Sequence, residues 1–159
     1  MSTSCDASGC SMEIRASIGG DPTVTDETVA YAKRDIERNW IGIYTDGEKT
    51  YRITVSLAVV EKNPDVLVRA VVASDIADDE LGRRHYPRGQ AQVGRGNEIE
   101  LGTYGPGTAA HEFGHLYGLQ HRSNGTYSMM SYAHADRRIR FRVVTGEHAR
   151  ALSSLYGRR

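Results

Sequence analysis

The segment HEFGHLYGLQH, residues 111–121, holds three of the six histidines of a 159-residue chain, with Glu112 and two glycines between them. Imidazole and carboxylate groups at this density suit metal ligation and proton transfer better than they suit a core or a plain surface. On a helix, His111 and His115 lie one turn apart, about 40° around the axis and roughly 6 Å along it. Both rings can then converge on one ion, which for zinc requires nitrogens at about 2.0–2.1 Å. Glu112 falls roughly 100° from His111 and 60° from His115 on the same wheel. That position is too far aside for easy ligation, and it suits a carboxylate that takes a proton from water at the ion.

His121 tests the idea. On a continued helix it would lie about 15 Å beyond His111 along the axis, out of reach. Gly118 stands where a left-handed turn would end the helix and let the chain double back to deliver His121. A β-branched residue at 118 should therefore weaken metal binding, although Gly118 ligates nothing. Three neutral histidines with an open position make a catalytic rather than a structural zinc site. With this composition, a chance match to HExxHxxGxxH is on the order of one in 10⁴.

A second motif follows, Tyr127-Ser128-Met129-Met130-Ser131-Tyr132. Together the two resemble the metzincin zinc endopeptidases, which are defined by HExxHxxGxxH and a downstream methionine turn. YSMMSY is similar to the serralysin-type turn. The short spacing from His121 to Met130 and the terminal Leu155-Tyr156-Gly157 are similar to matrixins. The resemblance implies a zinc metalloendopeptidase with Zn²⁺ as cofactor and His111, His115 and His121 as its ligands. Glu112 would be the general base. Met130 would be the hydrophobic floor beneath the metal, and Tyr132 a switchable ligand and oxyanion stabiliser. It further implies a cleft bordered by an edge strand near Gln90–Val93, with Tyr104 and Ala133–Asp136 as candidate lining. The chain carries neither the Gly-rich calcium repeats of serralysins nor a proline after Tyr132.

The elements that must position these groups can be read from periodicity. Met12–Ile18 alternates as a half-buried strand does. From Thr25, a natural N-cap, to Trp40, the apolar positions Val29, Ala32, Ile36 and Trp40 recur at helical spacing. Asp46-Gly47 marks a turn before a β-rich stretch over Tyr51–Val60, and a second apolar run spans Val66–Ala73. Glu98–Leu101 reads as a strand and the metal helix starts near Thr108. Ala149, Leu152, Leu155 and Tyr156 form a final helical stripe ending at Gly157. The expected fold is α+β: a metzincin-like zincin domain whose mixed twisted sheet carries an N-terminal helix, an active-site helix and a C-terminal helix. Residues 1–11 read as a flexible leader, and 12–159 as a single metallopeptidase catalytic domain.

Lys plus Arg equal Asp plus Glu at 20 each, a formal net charge of zero. That balance argues against a nucleic-acid or anionic-membrane partner, and no apolar run approaches membrane-spanning length. Arg137, Arg138, Arg140 and Arg142 read as a solvated face. The only cysteines, Cys5 and Cys10, sit in the polar leader and read as incidental thiols. A disulfide between them would close a small loop, and a thiolate folding back onto the metal is the sharper alternative. His85, His134 and His148 fall outside the motif and read as surface or loop residues, His134 being the nearest in sequence to Tyr132. No secretory signal opens the chain, so the expectation is a monomeric protease exported by another route, with the cytoplasm as the alternative. Its partners would be a protein or peptide substrate and an inhibitory partner protein in the producing cell. Two other functions compete: a metal-dependent amidohydrolase on cell-wall peptides, and a toxin-like interaction module with a structural metal site.

Overall fold

A computed structural model describes residues 1–71, 77–78, 84–85, 89–92, 94–102, 106–121, 129–130 and 144–156, with the backbone alone at 77–78, 84–85 and 89–90. Nine strands and three helices follow in the order β1 (Ser2–Asp6), β2 (Gly9–Gly20), α1 (Asp26–Trp40), β3 (Gly42–Asp46), β4 (Lys49–Val59), β5 (Val66–Ala70), β6 (Ala77–Asp78), β7 (Arg84–His85), β8 (Gly89–Ala91), β9 (Glu98–Leu101), α2 (Thr108–Leu116) and α3 (Gly146–Tyr156) among the described residues. One mixed sheet runs β3-β4-β2-β5-β9-β8, and β6 and β7 form a separate ribbon. The central pairs β2–β4, β2–β5 and β5–β9 are parallel, while β3 and β8 close the two edges antiparallel.

Alternation along the strands gives the sheet one greasy face. In β4, Tyr51, Ile53, Val55 and Leu57 are buried and their neighbours exposed. Met12, Ile14 and Ile18 of β2, Val66 and Val68 of β5, and Ile99 and Leu101 of β9 complete that face. The helices cover it through Val29, Ala32, Ile36 and Trp40 of α1, Ala109, Ala110 and Phe113 of α2, and Ala149 and Leu152 of α3, all in one core. Period-2 strands thus meet period-3.6 stripes, each burying what the other cannot leave in water.

α1 begins as its sequence dictates. The Thr25 hydroxyl accepts from the Thr28 amide at 3.3 Å, and Asp26 and Glu27 sit in the positive first turn.

Three expectations fail. Residues 1–11 are not a flexible leader, because β1 pairs antiparallel with β2 over Ser2–Asp6 and Gly9–Glu13. The Asp6 carboxylate closes the turn by accepting from the Ser8 hydroxyl and from the Ser8 and Gly9 amides, and these bonds, the hydroxyl's first, hold its pKa below the usual carboxylate value. The directly opposed Cys5 and Cys10 are joined in a disulfide, so no thiolate is there to reach a metal. His148, expected at the surface, is buried on α3 at 2% exposure. Its Nδ1 accepts from the Thr145 amide at 2.9 Å, which supplies an N-terminal cap for α3 that the bare sequence pattern does not announce. Val93, Gly157 and the four arginines of 137–142 lie outside the described residues.

Candidate metal centre

Helix α2 carries the motif. Its residues from Thr108 to His115 are all buried, so both ends need internal partners for their backbone groups. At the C-terminal end the chain provides them itself. Gly118 is in the left-handed region at φ +87°, its amide donates to His115 O at 2.9 Å, and the Leu119 amide donates to Gly114 O at 3.0 Å. This pair of bonds is the Schellman arrangement. It reverses the chain and sets His121 beside the helix, where the sequence requires it.

The three imidazoles converge. His111 Nε2 lies 3.0 Å from His121 Nε2 and 3.2 Å from His115 Nε2, and His115 Nε2 lies 3.1 Å from His121 Nε2. His111 and His115 are buried and His121 is exposed. Backbone carbonyls settle the tautomers of the buried pair. Nδ1 of His111 donates to Met129 O at 2.5 Å, and Nδ1 of His115 donates to Leu119 O at 2.7 Å. In the neutral rings each Nε2 then carries a lone pair, and the two lone pairs face each other across 3.2 Å. One cation placed among the three Nε2 atoms would be shared by all of them. The donor set therefore fits a metal, and the carbonyls orient the rings as outer partners of ligating histidines do.

Glu112, one position on from His111, is 4% exposed. Met130 is fully buried against α2: a Cβ added to Gly114 would stand 2.6 Å from its Sδ and 3.1 Å from Trp40 Cζ2. Gly114 is thus what lets both side chains close on the helix. Tyr132, Tyr104, His134 and Ala133–Asp136 lie outside the described residues, as does the side chain of His85.

Sequence reasoning missed three positions. Asp35 of α1 accepts from the Gly107 and Ala110 amides, and Trp40 Nε1 donates to Ala110 O. Past β8, the Gly94 amide donates to His115 O at 2.7 Å, with φ +64° at Gly94. That bond ties the chain leaving the edge strand to the C-terminal turn of the histidine helix. A charged residue on the apolar stripe of α1, three positions after Ala32, was the one available signal for Asp35; the Gly94 contact leaves no mark in the sequence.

The fold is similar to that of myroilysin, with a TM-score of 0.53 and 11% identity over 92% of this chain and 81% of that one. No protein-family model matches the sequence, and no curated protein matches it. The architecture is a mixed α+β fold, and its three-histidine cluster is suited to a metal ion.

Proposed function

We propose that this chain is a zinc-dependent endopeptidase of metzincin type. The reading rests above all on the triangle of Nε2 atoms, 3.0–3.2 Å on a side, with a buried glutamate next in sequence to one of its corners. His111, His115 and His121 would hold the ion. Zinc bound there brings the pKa of water toward about 7 and polarises a carbonyl. The Glu112 carboxylate accepts the proton as water oxygen bonds to the carbonyl carbon. It then passes that proton to the amine nitrogen as the C–N bond breaks. Tyr132, two residues past the buried Met130, is the residue proposed to steady the oxyanion and to withdraw from the ion.

The substrate would lie extended along β8. This strand closes the sheet beside β9, and the chain leaving it is bonded to His115 O, so an added peptide strand would run near the histidines. Main-chain pairing of that kind accepts many sequences, consistent with protein or peptide as the substrate class. We place the enzyme outside the producing cell, acting as a monomer, with an inhibitory partner protein in the producing cell.

Glu112→Ala is the test. It should keep stoichiometric zinc by elemental analysis while cleavage of a random peptide library falls by about 10²–10⁴, the usual share of general acid–base catalysis. Cleavage at the wild-type rate would discard the mechanism. A zinc-loaded wild-type protein that cuts neither peptides nor peptidoglycan fragments would favour an interaction module instead, and one that cuts only the fragments would favour the cell-wall amidohydrolase.

A further inference from the structure

Helix α2 begins inside the protein without a cap of its own. Gly107 at its N-terminus has φ +78° and no side chain, and Thr108, Ala109 and Ala110 are 0–3% exposed, so water does not serve the first amides. The missing acceptors come from another helix. Asp35, in the middle of α1 and 8% exposed, receives the Gly107 amide on Oδ1 at 2.8 Å and the Ala110 amide on Oδ2 at 3.1 Å. Asn39 Nδ2, one turn along, donates to the same Oδ1 at 3.2 Å and steadies the carboxylate. Five residues past Asp35 on α1, Trp40 Nε1 donates to Ala110 O at 2.8 Å, from a ring 1% exposed. Ala110 is therefore gripped at both its N–H and its C=O by one neighbouring helix, and the next residue is His111.

We infer that Asp35, backed by Trp40, is a positioning residue for the three-histidine centre: it fixes the register of α2 against α1 and thereby where His111 and His115 present Nε2. The inference rests on reading that cluster as a metal centre. A helix can be capped by any acceptor at its first turn, but this carboxylate spans two amides three residues apart, which locks rotation as well as translation. Ligand nitrogens tolerate displacements of only about 0.2 Å around a bound ion. A helix free to slide against α1 would open the triangle, while the Schellman turn and the Met129 and Leu119 carbonyls would move with it or break. Replacing the carboxylate also leaves two buried amides without acceptors, and α2 can recover them only by moving.

The test compares Asp35→Ala and Asp35→Asn with Ile36→Val, a core truncation next in the same helix that leaves the Asp35 carboxylate in place. Zinc affinity is measured by chelator competition and urea midpoints in parallel, and cobalt(II) replaces zinc to report ligand geometry through its visible absorption band. Asp35→Ala is expected to bind zinc at least about tenfold more weakly, the usual scale for losing an outer partner of a metal ligand. Its cobalt band should also change in position or intensity. Asp35→Asn, which keeps an oxygen for one amide, should fall between it and wild type, and it decides the matter alone if the alanine variant does not fold. Ile36→Val should lose stability yet keep both affinity and band. Wild-type affinity and spectrum in the Asp35 variants would overturn the inference, as would a loss in Ile36→Val equal to theirs at matched stability. A wild-type protein that binds neither ion would remove the metal centre and this inference together. One that binds both but hydrolyses nothing would remove only the peptidase reading.

Discussion

Gly118 ligates nothing, yet the geometry makes it answerable for two of the three histidines. Its φ of +87° forms the turn that brings back His121, and the next residue, Leu119, offers the carbonyl that holds His115 Nδ1. Space is a minor obstacle to a side chain there: among the described residues an added Cβ would meet only Leu155 Cδ1, at 3.3 Å, and that side chain is exposed and can give way. The cost is conformational: about 1–2 kcal/mol for placing alanine in the left-handed region, with a β-branched residue an outlier there. Against that strain stand the two turn hydrogen bonds from Gly118 and Leu119, each worth about 0.5–1.5 kcal/mol net. Strain and restraint are comparable, so Gly118→Ala should divide its cost between a strained turn that still binds and a relaxed turn that binds poorly. The zinc-loaded protein loses the whole 1–2 kcal/mol either way. If the turn relaxes entirely, the loss appears as about 5–30-fold weaker binding. Urea unfolding with and without saturating zinc, joined to chelator competition, separates the two shares. Gly118→Val should be worse than alanine. Gly118→Asn, whose side chain tolerates this region, should be milder than both. The reasoning fails if valine leaves the zinc-loaded midpoint and the affinity untouched, or if asparagine is as damaging as valine.

Three other outcomes follow from the same contacts. Gly114→Ala should destabilise the protein by about 1–3 kcal/mol through overpacking against Met130 Sδ and Trp40 Cζ2. In a Met130→Ala background the same Gly114→Ala change should cost less in urea melts, because the new methyl occupies some of the vacated space. Burial first, and the neighbouring Asp35 or Tyr156 second, push the Tyr31 and Tyr117 phenols up to about 12. The folded chain then keeps protons that the unfolded chain releases near pH 10, so stability should hold below about pH 10 and fall between about 10 and 12. Tyr117→Phe should flatten part of that fall in a pH series of urea midpoints. Replacing Cys5 and Cys10 together by serine should cost no more than about 2 kcal/mol, the loop being short, and should leave zinc affinity unchanged. A changed affinity would return a thiolate to the metal.

The centre was legible because its chemistry lies within eleven contiguous residues, and local geometry alone carries it from letters to space. Helical spacing pairs His111 with His115, and one glycine bends the chain to bring in His121. Strand β9 and the start of α2 at Thr108 match the expected bounds for the same reason: a short pattern bounded by clear punctuation. β1 escaped because its residues are nearly all exposed, so it has no alternation to reveal it; its pairing comes from lying opposite β2. β3 escaped likewise, an edge strand with Ile43 outward and exposed. The parallel order β4-β2-β5-β9 depends on crossovers that periodicity does not encode. Asp35 is the sharpest case. Its partners lie 72 and 75 positions away, and along the sequence it is one more charge in a charged helix.

The described contacts divide into those that make the triangle and those that keep it. On an unrestrained chain the imidazoles would be free to rotate apart, whereas here the Nε2 atoms of His111 and His115 are held 3.2 Å from each other. Each route of escape is closed by a different part of the fold. Rotation of His111 is opposed by Met129 O, and rotation of His115 by Leu119 O. Straightening of the turn is opposed by the bonds from Gly118 and Leu119, and separation of the edge strand from the helix by the Gly94 amide. Sliding of the helix is opposed by Asp35 and Trp40. Three of these five restraints come from outside the histidine motif: Met129 O, the Gly94 amide, and Asp35 with Trp40. A motif search therefore finds the ligands, whereas affinity is decided by residues it does not inspect. It follows that a transplanted HEFGHLYGLQH segment, deprived of α1 and of the Met129 carbonyl, would keep the ligand sequence and lose the preorganisation that makes a tight metal site.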